Sequence, residues 1–366
     1  MEKQIIGIDS SRSNSRQKTG TEYYSFELIK NLVEHKDHNF RLYSKEPLNY
    51  LKKSKNVENK VMRFPKLWSQ VRLSYEIYQN PPNILFEPAH TIPLYHGNNT
   101  VVTLHDIGFK YFPELYTPLE RMYHDFCMGF SVKHANKIIA ISNATKNDLI
   151  KVYGADEKKI SVIYHGYDHE KFYPARKSAP EKINKLGKYI FFIGRLEAKK
   201  NIKNLIKAFS ILKNNNQIEE KLVLAGRPGY QYEEIKEAIA ALSNNIKQDV
   251  IELGYVPDNE VGDLTRYASV FAFPSRFEGF GMPLIESMAC GVPIVASDTT
   301  SIPEIVDDAG LLSSPDDIEG LASNLRLAIK DEKTRNDLIE KGLKRSSQFS
   351  WEKCASQTLE VIDSLL

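Results

Sequence analysis

Hydrophobic residues in the first half of the chain fall into short runs closed off by polar and turn-forming residues: 4–8 (QIIGI), 40–43 (FRLY), 83–86 (NILF) and 100–104 (TVVTL). Runs of this length bounded by Pro, Asn and Gly read as strands. Between the first two, residues 21–35 carry Tyr24, Leu28, Ile29, Leu32 and Val33 at the spacing of one helix face. A second helical stretch, 118–134, leads into a strand at 137–141 (KIIAI), after which Ser142 is placed to cap a helix ending near Gly154. Strands alternating with helices imply a mainly parallel sheet covered on both faces.

Residues 165–188 (HGYDHEKFYPARKSAPEKINKLGK) show no sustained apolar period and contain Pro174, Pro180 and five lysines, so a domain link is expected inside them. A second alternating run follows, with strands at 189–193, 221–225, 250–253, 270–273 and 293–297. The expected fold class is α/β: a Rossmann-like domain over 1–170, a linker over 171–188 and a second Rossmann-like domain over 189–348. Ligands of such open sheets sit beyond the carboxyl ends of the strands, so a cleft between the two domains is the expected active site. The last stretch, 349–366, opens with Phe349-Ser350-Trp351 and carries Leu359, Ile362 and Leu365. It is expected to form a helix packing across the domain junction.

Composition removes several alternatives. With 42% hydrophobic and 26% charged residues among 366, the chain is ordinary globular material and long enough for two cores. Lys and Arg number 49 against 47 Asp and Glu, which leaves no basic field of the kind that nucleic-acid binding needs. Cys127, Cys290 and Cys354 are far apart and read as buried free thiols of a reducing compartment. No run approaches the roughly 20 apolar residues of a membrane span. Residues 64–78 (FPKLWSQVRLSYEIY) mix Trp68, Val71, Leu73 and Tyr75 with Lys66 and Arg72. They read either as a core-packed segment or as one lying at a membrane surface, and the small number of basic residues favours the first. A cytoplasmic protein, soluble or peripheral at the inner face of the cell membrane, is expected.

Neither unit carries G-x-G-x-x-G after its first strand, which takes away the main support for a dinucleotide enzyme. The first strand of the second unit runs instead into Gly194-Arg195-Leu196-Glu197-Ala198-Lys199-Lys200-Asn201 and then a helix. Arg195 and Lys200, at a strand's carboxyl end and beside the N–H groups of a helix start, suit a phosphate; a solvated basic loop would read the same way. The strand at 270–273 is followed by PSRFEGFGMPLIE, in which Gly279 and Gly281 permit a tight loop and Pro283 fits the first turn of a helix. That places Glu278 on the loop and Glu286 one turn into the helix, where each carboxylate oxygen can accept from a hydroxyl of ribose or a hexose. Thr103-Leu104-His105-Asp106 sets a histidine just past a strong strand, a place where a lone histidine is more often a loop residue than a catalyst.

In order and spacing these segments resemble retaining glycosyltransferases of family 4 with the GT-B fold. EGFGMPLIE is similar to that family's E-x7-E motif and GRLEAKKN to its phosphate-binding segment. KLVLAGRPG, ELGYVPDNEVGDLTRYA and ACGVPIVASDTTSIPEIV follow the family's order, and the similarity runs from IGIDSSR to FSWEKCA. The resemblance implies two Rossmann-like domains facing each other across a cleft, with a C-terminal helix crossing back to the N-terminal, acceptor-side domain. It implies that Glu286 binds the ribose of the donor, that Glu278 meets a hydroxyl of the donor sugar at the reacting end, and that Arg195 and Lys200 neutralise the diphosphate. Backbone N–H groups of Phe280, Gly281 and Met282 would assist, Val256 and Leu264 would border the base, and Gly226 would let the chain pass close to the diphosphate or base. Lys18-Thr19-Gly20-Thr21 lies where the family has paired glycines near the phosphates, of which only Gly20 is present here. His105 would reach the donor sugar near its reacting carbon, with Asp106 orienting the histidine or the acceptor. His165-Gly166 is similar to the family's junction and reads as a linker or cleft position, and Ser142 to Thr145 as a helix cap.

The reaction implied is transfer of a hexosyl unit from a nucleoside diphosphate sugar to a hydroxyl, with retention of configuration. No D-x-D-like metal site stands at a strand end, so metal independence is expected, and no cofactor beyond the sugar nucleotide. FEPAHTIPLYHGNNTVVTLHDIGFKYFPELYTPLERMYHDF resembles bacterial mannosyl- and rhamnosyltransferases of surface polysaccharide, lipopolysaccharide included. GDP-mannose is therefore the first donor expected, with UDP-glucose and UDP-N-acetylglucosamine next, and a glycan or lipid-linked saccharide the acceptor. Two other readings share the architecture. A nucleotide-sugar epimerase would form epimer or hydrolyse its ligand without acceptor; a non-catalytic sugar-nucleotide-binding protein is opposed by the intact His105, Arg195, Lys200, Glu278 and Glu286.

Overall fold

A computed structural model of the chain describes residues 4–15, 18–175 and 178–366. They divide into two compact units, one formed by the chain up to Gly166 together with Ser350–Leu366, the other by Tyr167–Phe349. Within the stretch expected to link them, residues 176 and 177 lie outside the described residues. Its neighbours fold with the second unit, where Ile183 is buried and Lys171 pairs with Asp258 at 2.5 Å.

The first unit is built on seven parallel strands: β1 (Ile5–Asp9), β2 (Asn39–Ser44), β3 (Val57–Val61), β4 (Ile84–Glu87), β5 (Thr100–Leu104), β6 (Lys137–Ala140) and β7 (Ile160–Val162). Their spatial order is β3-β2-β1-β4-β5-β6-β7. The chain thus winds outward from β1 to β3, returns to pair β4 with β1, and winds out the other way, which makes the crevice beyond β1 and β4 the topological switch point. Ile8 of β1 lies between Leu42 of β2 and Phe86 of β4, and all three are buried. Three helices of this unit carry or adjoin candidate residues: α1 (Gly20–Leu32), α2 (Pro118–His134) and α3 (Asn143–Tyr153). α1 buries Tyr24, Leu28, Ile29 and Leu32, the face its periodicity predicts, and its start is held by Glu22, whose carboxylate accepts from the Thr19 N–H at 3.1 Å. α3 is capped by Ser142, which accepts from the Thr145 N–H at 3.0 Å.

The second unit repeats the plan with β8 (Tyr189–Ile193), β9 (Lys221–Ala225), β10 (Val250–Gly254), β11 (Val270–Phe273), β12 (Ile294–Ser297) and β13 (Gly310–Ser313), all parallel and in the order β10-β9-β8-β11-β12-β13. Its switch point lies beyond β8 and β11. Helices α4 (Ile202–Asn214), α5 (Asp258–Arg266) and α6 (Met282–Ala289) follow β8, β10 and β11. The last helix, α7 (Trp351–Asp363), belongs to the first unit, where the Trp351 ring packs 6.0 Å from that of Tyr24 on α1. All three cysteines are free and buried.

Candidate active site

At the second unit's switch point, the loop after β8 and the loop after β11 bring Lys200 and Glu278 together. Lys200 Nζ lies 2.5 Å from Glu278 Oε1, and both side chains are largely buried. A desolvated pair of this kind is held by mutual compensation, so removal of either partner leaves a charge that neither water nor protein balances. Arg195, in the same loop just past the end of β8, behaves differently: its side chain is 69% exposed and its guanidinium lies 3.9 Å from Glu197. The two expected phosphate cations are therefore unlike one another, one fixed and locally neutralised, the other open to solvent.

The loop carrying Glu278 is pinned from behind. Glu278 N–H donates to Thr300 Oγ1 at 3.1 Å, and Ser301 Oγ donates to the carbonyls of Glu278 and Phe280, both at 3.0 Å. Phe277 and Phe280 are buried, Phe280 edge-on to Phe349 at 6.2 Å. Gly281 then turns into α6 with φ 98°. The N–H groups of Gly281 and Met282 meet no acceptor among the described residues, so Phe280 anchors this loop while its neighbours present the helix's first donors.

Glu286, on α6, is part-buried and makes no side-chain hydrogen bond among the described residues. Burial lifts its carboxyl from an ordinary 4.5 to about 7; Lys171 pulls the other way, and Asp258 and Asp168 add to the rise. Val256 and Leu264 lie together on one cavity of about 610 Å³, with Ile183, Leu186 and Tyr255. Gly226 has a reason of its own to be glycine: at φ 147° a Cβ would lie 1.7 Å from the Gly194 carbonyl oxygen, so the crowding there is set by the chain itself. At Gly20, the first residue of α1, a Cβ would meet nothing within 4 Å.

In the first unit His105 follows β5 and is buried. Its Nε2 lies 2.8 Å from the Pro88 carbonyl, which can only accept, so Nε2 carries the proton and Nδ1 is the basic nitrogen. Tyr24 and His90 stand against the ring, each at 4.7 Å and edge-on, and burial lowers its pKa, keeping it neutral. The ring proton is thus taken by Pro88, while Asp106 Oδ1 accepts from the Gly108 N–H at 2.7 Å. Thr145 Oγ1 donates to the His105 carbonyl at 3.0 Å, which ties the cap of α3 to the histidine. His165 is buried against Trp351 and Tyr24, ring centroids 5.7 and 4.7 Å away.

Three residues that motif reading passed over stand beside His105. His90 sits in the left-handed region, φ 68°, and its Nδ1 accepts from the His105 backbone N–H at 3.3 Å. Asp9 and Glu87, the last residues of β1 and β4, are both buried and hydrogen-bonded to each other. Burial raises both pKa values, and for Glu87 the Asp9 charge adds to it. Two carboxyls so placed hold one proton between them. A carboxyl closing an otherwise apolar strand was the available signal, twice over.

Comparison with known proteins agrees with this layout. A family model described as Glycosyltransferase Family 4 matches residues 19–171, and one described as Glycosyl transferases group 1 matches residues 175–345. O-antigen chain mannosyltransferase B of Escherichia coli is 29% identical over 281 residues, 73% of each chain. The N-acetylgalactosamine-N,N'-diacetylbacillosaminyl-diphospho-undecaprenol 4-alpha-N-acetylgalactosaminyltransferase of Campylobacter jejuni is 27% identical over 330 residues, 86% of each chain. Among solved structures, sucrose-phosphate synthase from Thermosynechococcus elongatus superposes with a TM-score of 0.77 over 99% of both chains at 18% identity, a likeness of fold. With the two family models lying end to end along the chain, and each unit folded as a Rossmann-like parallel sheet, the protein belongs to the family 4 and group 1 glycosyltransferases of the GT-B fold.

Proposed function

We propose that the protein transfers a hexosyl unit, mannose as first choice, from a nucleoside diphosphate sugar to a hydroxyl of a glycan or lipid-linked saccharide, with retention of configuration and without a metal ion. The observation that carries this reading is the second unit's switch point: a buried Lys200 held by Glu278, an exposed Arg195 and the start of α6, on which Glu286 keeps its carboxyl unengaged among the described residues. A diphosphate needs cations and N–H donors, and a ribose needs a carboxylate for its hydroxyls. In the reaction the sugar becomes oxocarbenium-like while the departing diphosphate gains charge. Lys200 is already offset by Glu278, so the net positive charge for that diphosphate comes from Arg195 and the helix N-terminus. These groups stand in for a divalent ion.

His105 is assigned to holding the donor sugar. Its tautomer leaves Nδ1 as an acceptor for a sugar hydroxyl, and its neutrality suits that role better than proton donation. Mannose is supported by the Escherichia coli relative; the Campylobacter jejuni relative carries a different sugar in its name, and both names describe glycosyl transfer. No helix among the described residues is long and apolar enough to cross a membrane. Leu67, Val71, Tyr75 and Tyr78 are exposed at helical spacing along one segment of the first unit, which supports a cytoplasmic protein resting on a bilayer surface where a lipid-linked acceptor resides.

A thermal-shift panel of GDP-mannose, UDP-glucose and UDP-N-acetylglucosamine, each with and without EDTA, tests the reading because stabilisation follows affinity. GDP-mannose should stabilise most and EDTA should change nothing. Stabilisation by none of the three would overturn the donor site, a larger effect of a UDP-sugar would overturn the donor choice, and loss with EDTA would overturn metal independence.

A further inference from the structure

The ion pair of Lys200 and Glu278 joins two loops, and neither loop is held by apolar packing alone. On the Lys200 side, the Arg276 N–H donates to the Lys199 carbonyl at 2.8 Å, and the buried Asn201 side chain donates to the Pro315 carbonyl at 2.7 Å. On the Glu278 side the support comes from two residues that follow β12, Thr300 and Ser301. Their hydroxyls take both backbone groups of Glu278: Thr300 Oγ1 accepts from its N–H, and Ser301 Oγ donates to its carbonyl. β12 is the neighbour of β11 in the sheet, so the turn after one strand backs the loop after the other.

Thr300 holds its place against the preference of its own backbone. Its φ of 53° lies in the left-handed region, and among the described non-glycine residues of positive φ it is the only one branched at Cβ. Such a residue is an outlier there, where Gly or Asn sits at little cost. Its hydroxyl gives a reason for the exception. The Thr300 Oγ1 proton goes to the Thr299 carbonyl at 2.8 Å, which leaves the oxygen as an acceptor for the Glu278 N–H. Ser301, fully buried, has one proton to share between the carbonyls of Glu278 and Phe280, at 3.0 Å each, and so holds the loop on both sides of Gly279. Backbone strain that persists beside a candidate site, kept by a polar contact to that site, points to a requirement for position.

We propose that Thr300 and Ser301 are positioning residues for glycosyl transfer: their hydroxyls set the backbone of Glu278 to Phe280 so that the Glu278 carboxylate meets Lys200 and the N–H groups at the start of α6 face the departing diphosphate. The inference rests on the glycosyl-transfer reading and adds residues that act on the reaction only through the loop they hold. Charge grows on the diphosphate as the sugar bond breaks, so a displaced loop loses more in the transition state than in ground-state binding.

Kinetics and lysine labelling on the full chain test it, with GDP-mannose as donor and a lipid-linked saccharide fraction as acceptor. Thr300→Val keeps the shape and removes the hydroxyl. It should lower kcat by about tenfold or more while GDP affinity by calorimetry stays within about threefold, and Thr300→Ser should keep kcat within about threefold of wild type. Trace acetylation read by peptide mass mapping reports on the ion pair itself. Lys200 should be acetylated roughly fivefold faster or more in Thr300→Val, and at the wild-type rate in Thr300→Ser. Lys213, equally buried and paired with Asp249 at 2.7 Å, should be unchanged in both. Should Thr300→Val fail to fold, Ser301→Ala, and Thr300→Gly, which removes the hydroxyl together with the backbone strain, should give the same losses. A lower unfolding temperature with wild-type kcat and wild-type Lys200 labelling would show a merely structural turn and overturn the proposal, as would equal losses in the Ser and Val variants. Failure of the glycosyl-transfer reading shows separately, as no product from wild type; Lys200 labelling then decides the proposal on its own.

Discussion

Replacing Glu286 with Gln removes a charge while keeping a shape. In the free protein the carboxyl is lifted from 4.5 to about 7, so above pH 7 the folded chain holds an ionised group where water solvates it poorly. At about 1.4 kcal/mol per pH unit, that difference is at most about 3 kcal/mol, an upper value because part of the side chain remains exposed. Below pH 4.5 the group is protonated in folded and unfolded chains alike and nothing is lost. Between 4.5 and 7 only the unfolded chain ionises, so wild-type stability falls as pH rises, and above 7 the full penalty is in place. Gln does not ionise. Glu286→Gln should therefore match wild type near pH 4.5 and exceed it at pH 8 by up to about 3 kcal/mol, roughly 5–10 °C in unfolding temperature. Binding moves the opposite way, because a charge-assisted hydrogen bond to ribose, about 1.5–3 kcal/mol, is lost, or roughly 10- to 100-fold in affinity for GDP or UDP. Scanning fluorimetry at pH 4.5 and 8 with calorimetry at pH 8 reads both effects. Equal stabilisation at both pH values, or a variant that binds as tightly as wild type, would refute the reasoning.

Two glycines separate packing from binding. Gly226→Ala drives a Cβ into the Gly194 carbonyl and should destabilise the protein by about 2–5 kcal/mol, whereas Gly20→Ala, with open space around it, should leave the unfolding temperature within a degree or two and lower donor affinity if the start of α1 meets the phosphates. Denaturant titration with and without GDP distinguishes them. His105→Ala should abolish transfer yet keep donor binding within a few-fold by calorimetry, and unchanged turnover would remove the histidine from the reaction. Leu67→Asp with Val71→Asp should reduce co-sedimentation with phosphatidylglycerol vesicles severalfold while leaving the fold intact, since both side chains point to solvent; equal sedimentation would show that this face does not meet the bilayer.

The central strands of both units were legible because they are buried on both faces and read as continuous apolar runs, as in TVVTL and YIFFI. The three that pattern reading passed over, β3, β7 and β13, are all edge strands. An edge strand faces one neighbour, so VENKV can remain polar and ISV can be three residues long without loss to the core. The candidate site divides in the same way. Lys200, Glu278 and Glu286 were readable from local motifs, whereas the pairing of Lys200 with Glu278, and the exposure of Arg195, depend on which loops the sheet order brings together. His90, Asp9 and Glu87 were less visible still, because their roles come from contacts 15 and 78 residues apart in the chain.

The most direct test of the central claim is transfer itself. Purified protein given GDP-mannose and a bacterial lipid-linked saccharide fraction, in the presence of EDTA, should yield a product heavier by one hexose residue by mass spectrometry, with an α-anomeric signal by NMR matching the donor. Lys200→Ala should slow its formation by at least a hundredfold. Release of free mannose or an epimerised nucleotide sugar with no gain in acceptor mass, or a product of inverted configuration, would contradict the account.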